Sequence, residues 1–273
     1  MKNIYLLGGT GSIGKQTIGV LRSFKEEYRL VSMSFNNNYE EAKQIINEFN
    51  PQFVSCGTKE IYELLKKEHP NLDLGYGSEG LLKAATYKTN YEGKDLVINS
   101  VVGMVGLLPT IEAIKLKRDI LLANKETLVV GGEIITKYVQ EYGVKLIPID
   151  SEHSAILQCL QGRKNEEVKK LIITASGGAF RDYSRYELEN VTINDALKHP
   201  NWRMGKKITV DCATMVNKGL EVIEAHFLFD IPYEKIETII HKESVIHSMI
   251  EYNDNTIIAQ MGKPDMRIQF NMH

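Results

Sequence analysis

With 273 residues, of which 43% are hydrophobic and 25% charged, the chain has the composition of a folded globular protein and is long enough for two domains. Thirty-three Lys and Arg against 35 Asp and Glu leave a net charge of −2, so the charge balance advertises neither a nucleic-acid partner nor an anionic membrane surface. The three well-separated cysteines (Cys56, Cys159, Cys212) argue against a disulfide framework, and no apolar run nears the roughly 20 residues of a bilayer span; a soluble cytoplasmic protein is expected.

Short apolar runs alternate with segments of helical period, the pattern of a parallel sheet with crossover helices. Residues 4–7 predict a first strand and 15–24 the helix after it; 30–35 predict a second strand and 39–49 a helix capped by Asn38. Further strands are expected at 53–56, 96–99, 120–123 and 145–149, with amphipathic helices at 111–117 and 133–142. The predicted fold class is therefore α/β, a Rossmann-like doubly wound sheet over residues 1–150 followed by an α+β domain over 151–273. In the second domain, 171–175 and 208–210 read as strands, 215–229 as a long helix, and 245–252 with 256–260 as a hairpin across Asn253-Asp254-Asn255.

The first chemical signal is Gly8-Gly9-Thr10-Gly11-Ser12-Ile13-Gly14, placed between a strand and a helix. Glycines there permit a tight turn and let backbone N–H groups approach a pyrophosphate at the helix N-terminus. At the end of the second strand, Asn36-Asn37-Asn38 carries no carboxylate to hold a ribose 2′-hydroxyl or repel a 2′-phosphate, which favours NADP over NAD. Next, Asp150-Ser151-Glu152-His153 follows a buried strand; two carboxylates so spaced can converge on a hard divalent cation, although the same pattern also describes an acidic helix start. Glu221, behind Asn217-Lys218-Gly219-Leu220, strengthens the metal reading, while Glu224 reads as a solvated or paired helix charge. Ser176, in a glycine turn after a strand, is suited to phosphate or substrate oxygens. His199-Pro200-Asn201-Trp202 leads into Arg203, Met204 and Gly205, a segment suited to a lid. His69, His226, His241, His247 and His273 show no ligand spacing, and Cys212 reads as a small buried residue.

Taken together, the chain resembles the 1-deoxy-D-xylulose 5-phosphate reductoisomerase family. The resemblance is carried by Gly11–Gly14, Leu122-Ala123-Asn124-Lys125-Glu126, Asp150–His153, Ala175-Ser176-Gly177-Gly178, His199–Trp202 and Asn217–Glu221, and runs on to Asp265-Met266-Arg267. It implies an NADPH- and metal-dependent enzyme that rearranges and reduces a sugar phosphate in the non-mevalonate isoprenoid pathway. Asp150, Glu152 and Glu221 would then bind Mg²⁺ or Mn²⁺, and Lys125 with Ser151 would contact the reacting end of the substrate. Ser176, His199, Asn217 and Lys218 would hold the phosphate under Trp202. Thr10, Gly11, Ser12, Ile13, Asn36, Asn37, Asn38, Asn124, Glu126, Met204 and Gly205 would line the cofactor. The resemblance also implies a homodimer formed through the second domain; family members continue into a C-terminal helical domain that is expected to be missing here, and the alternative is a non-catalytic or inactive NADPH-binding fragment for that reason. Cys212 departs from the family pattern, which has serine there.

Overall fold

The computed structural model describes residues 1–202 and 204–263; Arg203, Asp265-Met266-Arg267 and the last four residues lie outside that range. Met1–Ile149 packs as one unit, and the described residues from Asp150 onward as another.

The first unit alternates strand and helix: β1 (Lys2–Leu7), α1 (Ser12–Ser23), β2 (Tyr28–Ser34), α2 (Tyr39–Phe49), β3 (Phe53–Cys56), α3 (Lys59–Glu68), β4 (Asp73–Tyr76), α4 (Gly77–Thr86), β5 (Lys94–Asn99), α5 (Leu107–Lys115), β6 (Asp119–Leu122), α6 (Lys125–Tyr142) and β7 (Leu146–Pro148). The strands form one sheet in the order β4-β3-β2-β1-β5-β6-β7, and all their pairings are parallel. Helices cover both faces, which is why the central strands are apolar without alternation: Ile4 to Leu7 of β1 are all buried. Ile4, Leu6, Met33, Val54, Ile98 and Leu121 pack with Ile18, Leu21, Ile45 and Ile46 of α1 and α2 in one core.

Strand order reverses between β1 and β5, so the turns leaving these two strands flank the switch point where open α/β sheets take their ligands. Elements α3, β4 and α4 were not legible from periodicity. Only Leu65 of α3 is buried, and β4 is a partly exposed edge strand containing Gly75.

The second unit opens with α7 (Ser151–Cys159) and continues through β8 (Val168–Ala175), the one-turn α8 (Ile193–Ala196), α9 (Lys206–Ala213), α10 (Val216–Phe229), β9 (Ile236–Ile240), β10 (Ile246–Tyr252) and β11 (Ile257–Met261). Its sheet runs β11-β10-β8-β9, with β10 antiparallel to both neighbours and β9 parallel to β8. Ile156 and Cys159 of α7 and Ala225 and Phe229 of α10 pack on Leu171, Ile173 and Ile250, and the Tyr252 hydroxyl donates to the Cys159 carbonyl at 2.6 Å.

One expected strand is overturned. Ile208-Thr209-Val210 lies inside α9. Its β-branched run favours extended backbone locally, but helix formation buries Thr209 and Ala213 along one face and pairs Lys207 with Asp211 one turn on, at 2.7 Å.

Leu6 is fully buried in the central strand of the first unit. Leu6→Ala is expected to lower the unfolding free energy by about 3 kcal/mol, measured by urea titration followed by circular dichroism.

Candidate metal and dinucleotide sites

In the first unit the glycine turn is built by backbone contacts. Gly8 has φ +90°, and the Gly8 and Gly9 N–H groups both donate to the Ser34 carbonyl, at 3.1 and 2.8 Å, which ties the turn to the end of β2. A Cβ on Gly14 would lie 2.2 Å from the Gly8 carbonyl oxygen, so only glycine lets α1 start this close to β1. Gly11 and Ser12 are exposed, Thr10 and Ile13 half-buried, and α1 begins at Ser12 with Gly11 as its cap. Asn36, Asn37 and Asn38 are exposed just past β2; Asn38 is the capping residue of α2, but its amide donates to Glu41 at 2.7 Å rather than its side chain accepting a helix N–H.

Lys125 is the first residue of α6 and is buried, as is Asn124 before it; Glu126 is half-buried. The Asn124 amide donates inward, to the carbonyls of Val101 and Gly103 at 2.9 and 3.0 Å and to the Glu126 carboxylate at 3.0 Å.

The second unit brings Asp150, Glu152 and Glu221 together: one carboxylate oxygen from each lies within 4.8 Å of the other two. Asp150 caps α7, its Oδ1 accepting from the backbone N–H groups of Glu152 and His153 at 3.0 and 3.4 Å. Glu152 accepts from the Ser151 hydroxyl at 2.5 Å. Glu221, 1% exposed on α10, accepts from the Asn217 amide at 2.5 Å and from the Lys218 ammonium. Lys218 also donates to the Thr174 carbonyl at the end of β8 and stands 3.7 Å from Glu152 Oε1. The ammonium that the family resemblance assigns to phosphate is thus engaged with the carboxylates.

Electrostatics follow from this crowding. Burial, reinforced by Glu221 and Asp150, pushes the Glu152 carboxyl up to about 8, with Lys218 and the Ser151 hydroxyl opposing the rise. Burial alone would push the Lys218 ammonium down, but Glu152, Glu221 and Asp150 together hold it above its ordinary value. Three hard oxygen donors that repel one another at this separation are the donor set a small divalent cation requires, so the residues fit a metal centre.

His153 has no role that its sequence pattern alone assigns. It is fully buried; its Nε2 is 2.9 Å from the Glu221 carbonyl and its Nδ1 3.2 Å from Asp150 Oδ1, so it joins α7 to α10 behind the carboxylates. Its spacing of three from Asp150 was the available signal. Glu224 is buried too, 3.7 Å from the same ring.

Ser176 and His199 also meet. His199 Nδ1 accepts from the backbone N–H groups of Asn201 and Trp202, at 3.2 and 3.0 Å, which leaves Nε2 to carry the proton and donate to Ser176 Oγ at 2.9 Å. Burial, then the Arg181 charge, hold this imidazole below its ordinary pKa, in keeping with a neutral ring. Arg181 itself bridges three segments, donating to the carbonyls of Ser176 and Lys242 and to Asn201 Oδ1 at 3.2, 2.9 and 3.2 Å. Trp202 and Met204 are half-buried, the indole 6.1 Å from the His247 ring, and Gly205 is the exposed cap of α9. Cys212 is half-buried on α9, and a Cβ on Gly178 would lie 2.3 Å from its carbonyl oxygen.

A doubly wound sheet with a glycine turn at its switch point, joined in one chain to a unit carrying a carboxylate trio, defines the class of dinucleotide-dependent oxidoreductases that use a divalent metal. Comparison with known proteins narrows the class. Residues 4–132 match the family model for 1-deoxy-D-xylulose 5-phosphate reductoisomerase, and residues 146–229 match that for the C-terminal domain of the same enzyme. The reductoisomerase of Bacillus subtilis (strain 168) is 56% identical over 270 residues, covering 98% of this chain and 70% of that protein. That of Macrococcus caseolyticus is 54% identical over 268 residues. A crystal structure of DOX-P reductoisomerase in complex with NADPH, fosmidomycin and magnesium superposes with a TM-score of 0.90 at 36% identity, covering 97% of this chain and 67% of that one. The Zymomonas mobilis enzyme in complex with NADPH gives 0.87 at 38% identity, covering 98% and 68%. The chain belongs to the 1-deoxy-D-xylulose 5-phosphate reductoisomerase family.

The raised Glu152 carboxyl has a consequence for stability. An acid whose folded-state pKa lies above its ordinary 4.5 stabilises the fold below that value, and the contribution is lost as pH rises toward about 8. In EDTA the melting temperature is expected to fall between pH 5.5 and 8.5, and Glu152→Gln to flatten that fall; equal slopes for the two proteins in differential scanning fluorimetry contradict this account.

Proposed function

We propose that the chain rearranges and reduces 1-deoxy-D-xylulose 5-phosphate to 2-C-methyl-D-erythritol 4-phosphate, using NADPH and Mg²⁺ or Mn²⁺, as a step of the non-mevalonate isoprenoid pathway. The observation that carries this reading is the convergence, within 4.8 Å of one another, of Asp150 and Glu152, at the start of α7, with Glu221, in the second turn of α10 and far from them in sequence. Met1–Ile149 serves as the NADPH domain and the unit that begins at Asp150 as the catalytic domain.

Asp150, Glu152 and Glu221 hold the cation, which supplies Lewis acidity to the substrate's carbonyl and hydroxyl oxygens. NADPH supplies the reducing equivalent. The protein supplies position and field. The glycine turn Thr10–Ile13 presents backbone N–H groups to the pyrophosphate, Asn36–Asn38 meet the adenosine side, and Asn124 and Glu126 complete the first unit's share of the cofactor site. Ser151, beside Glu152, binds the reacting end of the substrate. His199 with its proton on Nε2 and the Ser176 hydroxyl offer neutral donors to the phosphate; Asn217 and Lys218 add an amide and a charge, and Trp202 closes over them. Holding the phosphate far from the reacting carbons contributes orientation that is realised in the transition state.

Two copies associate through the second unit. Its sheet ends in β11, an edge strand with exposed Ile257, Ile258 and Met261, and such an edge pairs readily with another strand. Among the described residues no helix is long and apolar enough to cross a membrane.

The test is NADPH oxidation on addition of 1-deoxy-D-xylulose 5-phosphate, with and without Mn²⁺. Turnover is expected only with the cation, and Asp150→Asn or Glu221→Gln is expected to lower kcat at least about 100-fold. Turnover in EDTA points to a metal-free oxidoreductase instead, and NADPH binding without turnover to a non-catalytic dinucleotide-binding chain. The serine that the family pattern has in place of Cys212 contacts phosphate, and a thiol is the weaker hydrogen-bond partner, so Cys212→Ser is expected to lower the KM for the sugar phosphate by about two- to fivefold; an unchanged KM removes Cys212 from the phosphate site.

A further inference from the structure

Strand β5 ends in Asn99, an amide with no exposed surface in the apolar interior of the first unit. Its Nδ2 donates to the Gly106 carbonyl at 3.2 Å and to Thr110 Oγ1 at 2.8 Å, with Thr127 Oγ1 at 3.4 Å, while its Oδ1 accepts from the Val101 N–H at 3.4 Å. Thr110 and Thr127, also fully buried, extend the network: Thr110 donates to the Gly106 carbonyl at 2.8 Å and Thr127 to the Asn124 side chain. Asn124 in turn binds the carbonyls of Val101 and Gly103. Three backbone carbonyls of the loop between β5 and α5 are thereby held by side chains from β5, α5 and the turn before α6.

The loop is fastened at its other end as well. The Ser100 hydroxyl and N–H donate to the Leu7 carbonyl at 2.6 and 3.0 Å, where β1 enters the glycine turn. Gly106 has no room for a side chain, since a Cβ there would lie 2.7 Å from both Asn124 Oδ1 and Asn99 Nδ2. On the outer side of this clamped backbone, Val102, Met104 and Val105 are 66%, 62% and 60% exposed.

A buried amide and two buried hydroxyls are a costly way to fill a strand end that a leucine would fill, and they are tolerable only when nearly every donor and acceptor is satisfied. What such a network adds over an apolar filler is a single backbone geometry. That geometry is imposed on the turn beside the switch point between β1 and β5, where a dinucleotide lies in sheets of this kind. We propose that Asn99 is a positioning residue for NADPH: through Gly106, Thr110, Thr127 and Asn124 it presets the Ser100–Gly106 backbone as one wall of the dinucleotide crevice, with the apolar tips of that loop turned outward. The inference rests on the dinucleotide reading above and adds that Asn99, Thr110 and Thr127, fully buried beneath the loop, hold the wall from behind.

The experiment uses the full chain with Mn²⁺ and reads NADPH affinity by fluorescence titration, together with kcat and the KM of each substrate. Asn99→Leu, close in size but without hydrogen bonds, is expected to weaken NADPH binding about tenfold while leaving the KM for 1-deoxy-D-xylulose 5-phosphate within about twofold. Thr127→Val is expected to act in the same direction and Thr127→Ser to restore wild-type affinity, because the hydroxyl returns. An NADPH affinity for Asn99→Leu within about twofold of wild type overturns the role, as does a parallel rise in both KM values, which marks general loss of fold. Should Asn99→Leu fail to fold, the Thr127 pair decides, and equal NADPH affinities for the valine and serine variants overturn the role. Absence of NADPH binding by the unaltered chain overturns the dinucleotide reading itself, before any variant is compared.

Discussion

Repulsion among three carboxylates is the constraint on which the second unit depends. Two unit charges about 4 Å apart in a protein-like environment repel by about 4 kcal/mol, so a trio within 4.8 Å cannot stand without compensation. Each oxygen pair is answered differently. Asp150 takes two backbone N–H groups at the start of α7, where the helix dipole favours negative charge. Glu152 takes the Ser151 hydroxyl, and Glu221 the Asn217 amide and the Lys218 ammonium. This compensation stabilises the charges, and a divalent cation bound among them would add to it.

The two units shape their candidate sites by different means. In the first, backbone contacts do so: Gly8 adopts a left-handed conformation, Gly14 allows α1 to touch the turn, and polar side chains are buried behind the loops to hold carbonyls in place. In the second, side chains do so, and helices α7 and α10 present them from a common core with β8 and β10. His153 connects these two helices at the level of the carboxylates, so that packing and carboxylate geometry are set by the same contacts. Disturbing the core beneath them therefore moves the carboxylates.

Signals confined to one stretch of chain were legible before any coordinates. The glycine turn, the helix 39–49, the strand 53–56, the hairpin near the end and the Asp150–Glu152 pair all express a local pattern: turn chemistry, a period of residues, or two acids beside a strand end. Where the local pattern was weak or misleading, reading failed. The short edge strand β4 has neither length nor alternation, and Ile208-Thr209-Val210 obeys its helical surroundings rather than its own preference.

By itself the sequence determined the α/β class, the nucleotide turn and the residue types available for a cation, because each follows from backbone preference or from neighbours within a few positions. Only tertiary structure decided which distant groups share a charge or a proton. It set Glu221 and Lys218 against residues some seventy positions earlier, joined Ser176 to His199, and sealed Asn99 under the loop it holds. Those partnerships exist because burial removes water as the competing partner, and burial is a property of the packed chain rather than of any segment in it.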